Sequence, residues 1–379
     1  MPHWPPEGEP LPYFGTSPAA RAPAHVAALD GLRGFAVLLV FCVHAAGNAA
    51  AVVAGIDLGH ASFLALPTWP QRALFWLQRS HHGVFLFFVL SGYLIGRMWW
   101  PRPQASYAHF AWQRTLRIYP AFLLSFVASI LFVRFTGPLV DPDVPRVLGN
   151  LVFLNGMPGA NVMPLNIVTW SLFYEMTFYL GFPLLLLTAR SVSPRLVHAV
   201  PVAGIVVPLA LVLAGADALV LCWALLFCGV SFALWQERMA PMLVRIPVLA
   251  VVAAYLAVTT GALLDLAPAT AAIMAFGGVS ILVLAKAMAG DNALATALAM
   301  RPLVLLGRIS YSFYLLHWMI VVLVARAVHP HSEAWGALPA TLVIFAAGLV
   351  LSAAAASVSW WAAERPYFAR RAASRASRT

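Results

Sequence analysis

Long apolar runs separated by short polar stretches occupy most of the chain. A helix needs about 20 mostly apolar residues to cross a bilayer, and the runs that approach this length have the approximate limits 35–54, 84–100, 118–135, 167–188, 197–215, 218–235, 246–264, 269–288, 311–328 and 337–361. The run at 146–157 is too short to span and is expected to lie at the membrane interface or to re-enter. The pattern predicts an all-α integral membrane protein with about ten transmembrane helices in one bundle.

The composition supports a membrane location. Hydrophobic residues make up 62% of the 379 residues and charged residues only 9%, whereas soluble domains carry about 25% charged residues. The net charge of +10 comes from arginines and a single lysine, Lys286. A nucleic-acid-binding protein would cluster its arginines on a soluble face. Here the arginines lie between apolar runs. The predicted partner is therefore the lipid bilayer, and no nucleic-acid partner is predicted.

Basic residues also predict the orientation, because cytoplasmic loops of membrane proteins are enriched in lysine and arginine. The loops after every second span, together with the segment after span 10, carry most of them, and the opposite loops carry only Arg72, Arg79, Arg134 and Arg146. Both termini are therefore expected in the cytoplasm, and the chain in the inner (cytoplasmic) membrane. We divide it into an irregular, proline-rich tail (1–28), a membrane domain (29–368) and a basic tail (369–379).

Few ionisable side chains lie inside the predicted spans. Of 13 acidic residues only Glu175 does so clearly, and of 11 histidines only His44 and His317 do. An ionisable group at the centre of a membrane helix costs about 2.5–3.5 kcal/mol on insertion scales, so such residues indicate function by default. The alternative is that they form structural hydrogen bonds between helices. The three cysteines lie in apolar runs without a CxxC pair, and no metal site is predicted.

The run LDGLRGFAVLLVFCVH places Arg33 eleven residues before His44. That spacing is about three helical turns, or ~16 Å, and returns to within ~20° of the same face. Arg33 would stand at the cytoplasmic mouth of span 1, where its guanidinium could hold an anionic group. His44, deeper in the membrane, could accept a proton from a hydroxyl. A snorkelling arginine and a histidine bonded between helices would be the structural alternative.

Two further motifs place polar groups on membrane helices. In TWSLFYEMTFYLG, Trp170 precedes Ser171 and Glu175, which share a face at i, i+4. Glu175 could orient one of the histidines or bind substrate hydroxyls. In GRISYSFYLLHWM, Tyr314 and His317 are spaced i, i+3. Purely structural hydrogen bonding is the alternative for both motifs.

Small and basic residues supply the remaining candidates. Ser91 and Gly92 lie in FLFFVLSGYLIG and could admit a ligand or a neighbouring backbone. Arg114 and Arg117 lie in WQRTLRIYP on the predicted cytoplasmic side. They could bind phosphate, or could simply anchor the helix by the positive-inside rule.

The motifs LDGLRGFAVLLVFCVH, GVFLFFVLSGYLIG, RTLRIYP, WSLFYE, LGRISYSFYLLH and ERP follow one another along the chain. In this order, on a chain of ten predicted spans, they resemble the acyltransferase type 3 family of integral membrane acyltransferases. The resemblance covers about residues 28–368. It implies transfer of an acyl group, often acetyl, from cytoplasmic acyl-coenzyme A as co-substrate. The implied acceptors are hydroxyls of envelope polysaccharides, lipid-linked sugars, peptidoglycan or sugars on secreted metabolites.

The resemblance also assigns residues. Arg33 and His44 match the essential pair of the family, and Arg117 matches the arginine before its Ile-x-Pro turn. Glu175 and His317 match the polar positions of their motifs. The family often has a proline two residues after the second histidine, where this chain has Met319. That difference affects the expected local helix shape.

The expected mechanism combines both lines of reasoning. Arg33, Arg114 and Arg117 would bind the phosphates of coenzyme A, and His44 would act as general base on the acceptor hydroxyl, assisted by Glu175. A covalent acyl-histidine intermediate is an open alternative. Side chains expected to bind substrate or the oxyanion are Ser91, Trp170, Ser171, Tyr314 and His317.

Two other function classes are alternatives to an enzyme. The first is a proton-coupled transporter in which His44, Glu175 and His317 form a relay. Transporters commonly contain internal repeats and matching broken helices, and the sequence shows neither. The second is a catalytically silent relative that moves or scaffolds an envelope polymer, which the retention of Arg33 and His44 disfavours.

Overall fold

The computed structural model describes residues 24–79, 82–99, 106–136 and 143–369, which are helical apart from short connections and contain no strand. The helices are α1 (Ala24–Ala54), α2 (Trp69–Gln78), α3 (His82–Trp99), α4 (Tyr107–Thr136), α5 (Val144–Leu151), α6 (Trp170–Val192), α7 (Ala199–Leu213), α8 (Leu221–Leu243), α9 (Val248–Leu263), α10 (Ala269–Ala289), α11 (Ala293–Leu298), α12 (Arg301–Arg308), α13 (Ser310–Val328), α14 (Ser332–Trp335) and α15 (Ala337–Ser359). A π-helical turn, Trp360–Glu364, continues α15.

Nine helical segments of the described residues are long and apolar enough to cross a membrane. They are Ala27–Ala54, Trp69–Trp99, Tyr107–Thr136, Ile167–Val192, Leu196–Leu213, Ala218–Leu243, Ala269–Ala289, Ser310–Trp335 and Ala337–Ala369. The prediction of an all-α integral membrane protein is therefore confirmed.

The predicted span at 246–264 is a shorter helix than the others. It corresponds to α9, which has 16 residues and is about 24 Å long, less than the ~30 Å hydrocarbon core. Pro247 precedes its first turn, and Asp265, with φ of 52°, adopts a left-handed conformation just after its end. The described residues therefore contain nine spans of full length, whereas the sequence predicted ten. The orientation with both termini in the cytoplasm requires α9 to cross as well, and it remains a prediction.

The structure changes two predicted boundaries near the chain start. α1 begins at Ala24, so the last residues of the predicted irregular tail are helical. Arg33 lies more than two turns after the first residue of α1, and its position at the cytoplasmic mouth of the span stays a prediction. Residues 1–23 and 370–379, which make up most of the two predicted tails, lie outside the described residues.

The short apolar run at 146–157 forms α5 and a 3₁₀ turn, Leu154–Gly156. The Asp143 carboxylate caps α5 by accepting from the Arg146 backbone N–H at 2.8 Å. Asn150 fixes the following loop, since its side chain donates to the Met163 carbonyl and accepts from the Leu165 N–H, both at 2.9 Å. This connection leads directly into α6, which carries Ser171 and Glu175.

Glycines bring the central helices into close contact. A Cβ atom on Gly92 of α3 would lie 1.8 Å from the Leu226 carbonyl oxygen of α8, and one on Gly229 would lie 2.0 Å from the Val89 carbonyl oxygen. α12 packs against α1 in the same way, because a Cβ atom on Gly307 would lie 1.8 Å from the Asp30 carbonyl oxygen. Side-chain-free positions at helix contacts let backbones approach closely in membranes. These contacts hold α3 against α8, and α12, which leads into α13, against α1.

Candidate active site

A cavity opens between α1, α3, α4, α6 and α13. It holds about 890 Å³ of empty space, including its open mouth. Its lining residues are Arg33, Val84, Phe87, Phe88, Ser91, Leu94, Ile95, Arg114, Arg117, Ile118, Ser171, Leu172, Glu175, Tyr179, Ser310, Tyr311 and Tyr314. Seven of the residues predicted from sequence line it: Arg33, Ser91, Arg114, Arg117, Ser171, Glu175 and Tyr314.

Two of the three arginines that line the cavity pair with carboxylates that are not among its lining residues. The Arg33 guanidinium lies 3.7 Å from the Asp30 carboxylate, one turn earlier on α1. The Arg117 guanidinium lies 3.3 Å from Glu364, a residue of the π-helical turn whose side chain is 1% exposed. These contacts fix both guanidinium groups beside the cavity.

The third arginine is held by aromatic rings. The Arg114 guanidinium lies 5.3 Å from the ring centre of Phe110 and 5.6 Å from that of Tyr179. Such cation–π contacts fix the orientation of a guanidinium. Together the three side chains give this cavity a positively charged wall.

A carboxylate and two hydroxyl groups form the polar wall on α3 and α6. The Ser91 hydroxyl donates to Glu175 Oε1 at 2.7 Å, and the Tyr179 hydroxyl donates to Ser91 Oγ at 3.4 Å. The sequence suggested that Glu175 could orient a histidine. In the structure its carboxylate accepts instead from Ser91 on the neighbouring helix.

A second hydroxyl pair joins α6 to α13. The Tyr314 hydroxyl donates to the Val168 carbonyl oxygen at 2.6 Å, and the Ser171 and Tyr314 hydroxyls lie 2.8 Å apart. Since a carbonyl oxygen can only accept, the Tyr314 proton is engaged there and Ser171 donates to Tyr314. Both oxygens still have lone pairs that a ligand could use.

The two membrane histidines lie together, next to the cavity. Their ring centres are 5.2 Å apart and the ring planes are tilted by 50°. His317 is fully buried on α13, and His44 is partly buried on α1. Neither is among the cavity-lining residues, although the Tyr314 ring, which is, lies 6.0 Å from that of His317. The pair is thus one helical turn beyond the lining.

Trp170 also lies outside the cavity lining. Its ring packs edge-on against Phe88, at 6.3 Å between centres, and against Tyr174, at 6.0 Å. Phe88 does line the cavity, so Trp170 supports the wall from behind.

Some residues at the site were not predicted from the sequence. Tyr179 and Ser310 each lie one turn from a predicted residue, at i+4 from Glu175 and i−4 from Tyr314, and this spacing could have identified them. Glu364 belongs to the ERP motif, but its partner Arg117 is 247 residues away. No local pattern reveals that contact.

The part of the chain that the structure describes contains no group of three or more His, Cys, Asp or Glu residues able to hold a metal ion.

Comparison with known proteins shows the family of the chain. The sequence profile of the type 3 acyltransferase domain matches residues 26–357. The acyltransferase MdmB of Streptomyces mycarofaciens is 30% identical over 175 residues, which are 44% of this chain and 41% of that protein. The chain thus spans less than half the length of this relative. No solved structure matches. Because the profile covers most of the sequence, the chain belongs to the type 3 family of membrane acyltransferases.

Proposed function

We propose that this protein is a membrane O-acyltransferase that moves an acyl group, acetyl in particular, from cytoplasmic acyl-coenzyme A to a hydroxyl of a sugar, envelope glycan or glycolipid. One observation carries the proposal. Three arginines and a set of hydroxyl and carboxylate groups line the same cavity, and its lining ends one turn from a pair of histidines. Family membership supports acyl transfer as the reaction.

The arginines bind the donor. Coenzyme A carries several phosphate charges, and guanidinium groups bind phosphate by charge and by paired hydrogen bonds. Arg33, Arg114 and Arg117 approach the cavity from two helices, so they can contact separate phosphates. The apolar side chains Phe87, Leu94 and Ile95 line the same space and can pack against the part of acyl-coenzyme A that carries the thioester.

The hydroxyl and carboxylate groups bind the acceptor. Sugar hydroxyls both donate and accept hydrogen bonds, and Glu175 and Ser91 offer acceptor atoms beside the donor site. The Tyr314 ring lies 6.0 Å from that of His317 and its hydroxyl accepts from Ser171, so these two hydroxyl groups can bind the reacting hydroxyl or the oxyanion. Trp170 shapes this wall through Phe88.

His44 acts as the general base. It takes the proton of the acceptor hydroxyl while that oxygen attacks the thioester carbonyl carbon. The carbon–sulfur bond then breaks, and the thiolate leaves and recovers the proton from His44. General-base catalysis of this kind contributes about 10²–10⁴-fold.

The uneven distribution of basic residues supports an inner-membrane location with the donor site facing the cytoplasm. The transporter alternative would use His44, Glu175 and His317 as a relay. The Ser91–Glu175 bond gives this carboxylate a partner other than the histidines, and the family match favours the enzyme.

A transfer assay tests the proposed function. Protein purified in detergent is incubated with radiolabelled acetyl-coenzyme A and crude envelope glycolipid, for the wild type, His44→Ala and the control His60→Ala. His60 is an exposed histidine in the loop after α1, paired with Asp57. We expect transfer by the wild type and the control, and a loss of about 10²–10⁴-fold for His44→Ala. Equal turnover in all three would remove His44 from the chemistry. Absence of turnover and of binding with acetyl-coenzyme A and with longer acyl-coenzyme A donors would favour the transporter.

A further inference from the structure

His317 carries an unused hydrogen-bond acceptor deep in the protein. Its side chain is fully buried. The ring nitrogen Nδ1 lies 2.8 Å from the Tyr314 carbonyl oxygen and 3.1 Å from the Phe313 carbonyl oxygen. A carbonyl oxygen cannot donate, so Nδ1 carries the proton and Nε2 of the neutral ring carries a lone pair.

Nothing among the described residues occupies that lone pair. Nε2 is shielded from solvent and has no hydrogen-bond partner in the described part of the chain. Buried polar side-chain atoms are seldom left unpaired, and each exception calls for an explanation, such as a catalytic role. The local backbone fixes the tautomer of His317 and leaves Nε2 for another group.

The neighbouring imidazole is that of His44. Phe41 and Phe313, about one turn before the two histidines, pack edge to face at 6.1 Å and hold α1 beside α13 at this level. The His44 and His317 ring centres are 5.2 Å apart. At this distance, a hydrogen bond between the two imidazoles requires that the ring of His44, the less buried of the two, turns a nitrogen towards Nε2 of His317. Hydrogen bonds between catalytic groups often reach their final length only when substrate is bound.

We propose that His317 is a positioning residue for His44. Its Nε2 accepts the N–H of one His44 nitrogen, which leaves the other nitrogen unprotonated and directed at the acceptor hydroxyl. When His44 takes the hydroxyl proton, both of its nitrogens carry protons, and His317 stabilises the resulting imidazolium by accepting from it. The proton later goes to the departing thiolate, and His317 itself ends each cycle unchanged. The inference rests on the proposed role of His44.

A neutral partner suits this depth of the membrane. A buried carboxylate would need further donors to offset its desolvation, and the Glu175 carboxylate of the cavity accepts from Ser91. An imidazole locked by two backbone carbonyls supplies an acceptor without adding a charge.

Two substitutions at position 317 separate the functions of the two ring nitrogens. In His317→Gln the side-chain amide reaches the position of Nε2 and can accept there. In His317→Asn the shorter amide reaches only the position of Nδ1, so it can donate to the backbone but cannot accept from His44. We expect His317→Gln to keep kcat within about tenfold of the wild type and His317→Asn to lose about 10²-fold or more, at nearly unchanged KM for acetyl-coenzyme A.

Several outcomes would overturn the inference. They are wild-type kcat for His317→Asn, equal losses in two variants that are both folded, or a rise in KM at constant kcat. The two proposals fail in different ways. An inactive His44→Ala beside a fully active His317→Asn refutes only the inference about His317. An active His44→Ala refutes both that inference and the proposed role of His44.

A measurement on the wild type keeps the inference testable if the variants do not fold. Nitrogen-15 NMR of histidine-labelled protein distinguishes the two tautomers, and comparison with His44→Ala assigns the signals that depend on the pair. We expect the Nδ1-protonated form for His317 and a shift of its Nε2 signal in His44→Ala. An Nε2-protonated ring, or a spectrum of His317 unchanged by His44→Ala, would overturn the inference.

Discussion

At the scale of single residues, the cavity is defined by how its charges are balanced. Arg33 and Arg117 each pair with a carboxylate that does not line the cavity, whereas Glu175, which does, accepts from a serine. Each of these two guanidinium groups is thereby oriented by a carboxylate from outside the ligand space. The Glu364 carboxylate is almost fully buried and also accepts from the Ser312 hydroxyl at 2.7 Å, so its position is well determined.

Removing the charge of Glu364 should weaken donor binding. In Glu364→Gln the side chain keeps its size, but the Arg117 guanidinium loses its ionic partner. We expect KM for acetyl-coenzyme A to rise about tenfold with kcat changed less, in line with the loss of a hydrogen bond to a charged group. Steady-state kinetics would show this, with Glu333→Gln as a control at an exposed position. If Glu364 acts through Arg117, its substitution adds nothing in an Arg117→Ala background, and additive effects would refute this link.

Glu175 should act on the acceptor. Glu175→Gln retains an atom that accepts from Ser91 but removes the negative charge, so we expect KM for the acceptor to rise about tenfold while acetyl-coenzyme A binding is unchanged. Separate titrations of the two substrates measure both effects, with Glu237→Gln, an exposed position on α8, as control. Weakened donor binding with intact acceptor binding would contradict this assignment.

The spacing along each helix correctly grouped Arg114 with Arg117 and Ser171 with Glu175 on the cavity wall. The spacing did not predict that His44 lies outside the cavity lining, because His44 shares a face of α1 with Arg33. Periodicity gives the direction of a side chain, whereas the extent of a cavity along that direction depends on neighbouring helices. Here the lining ends at Tyr314 of α13, and the histidines lie beyond it.

At the scale of elements, the close approach of α3 and α8 holds the site together. α3 carries Ser91 beside Gly92, and Gly92 lies against the Leu226 carbonyl oxygen of α8. The sequence suggested that Gly92 could admit another backbone or a ligand, and the structure places the α8 backbone there. Composition identified most helices as well, but it overestimated the length of α9, because the apolar run includes Ile246 and Pro247, which precede the first turn of the helix.

A methyl group at this contact should separate the two helices. The added carbon of Gly92→Ala would overlap the Leu226 carbonyl group, so we expect a loss of about 1–3 kcal/mol in the free energy of unfolding together with reduced activity. Thermal unfolding in detergent measures the first. Gly278→Ala on α10 is the matched control, because its Cβ atom meets nothing within 4 Å and alanine favours helix. A Gly92→Ala protein as stable as the control would show that the helices can shift without cost.

At the scale of the whole molecule, the membrane orientation depends on α9. Nine described segments reach spanning length, and both termini lie on one side only if α9 is a tenth crossing. The charge pattern of the loops favours that arrangement, because Arg238 and Arg245 precede α9 and Asp265 follows it.

Cysteine labelling would decide whether α9 crosses. In a variant whose native cysteines are replaced, we expect Arg245→Cys to react only from the cytoplasmic side and Leu266→Cys only from the outer side. Leu266 is 73% exposed, so a reagent can reach it. Labelling of both positions from the same side would place α9 at the interface and the two termini on opposite sides of the membrane.

The ion pair between Arg117 and Glu364 has a consequence for biogenesis. Membrane segments leave the ribosome in chain order, and Arg117 enters the bilayer long before the turn that holds its carboxylate. During translation the early helices can form most of the cavity, but the guanidinium lacks its partner until the segment after α15 has docked. On the proposed function, an incompletely inserted chain would therefore bind its acyl donor weakly.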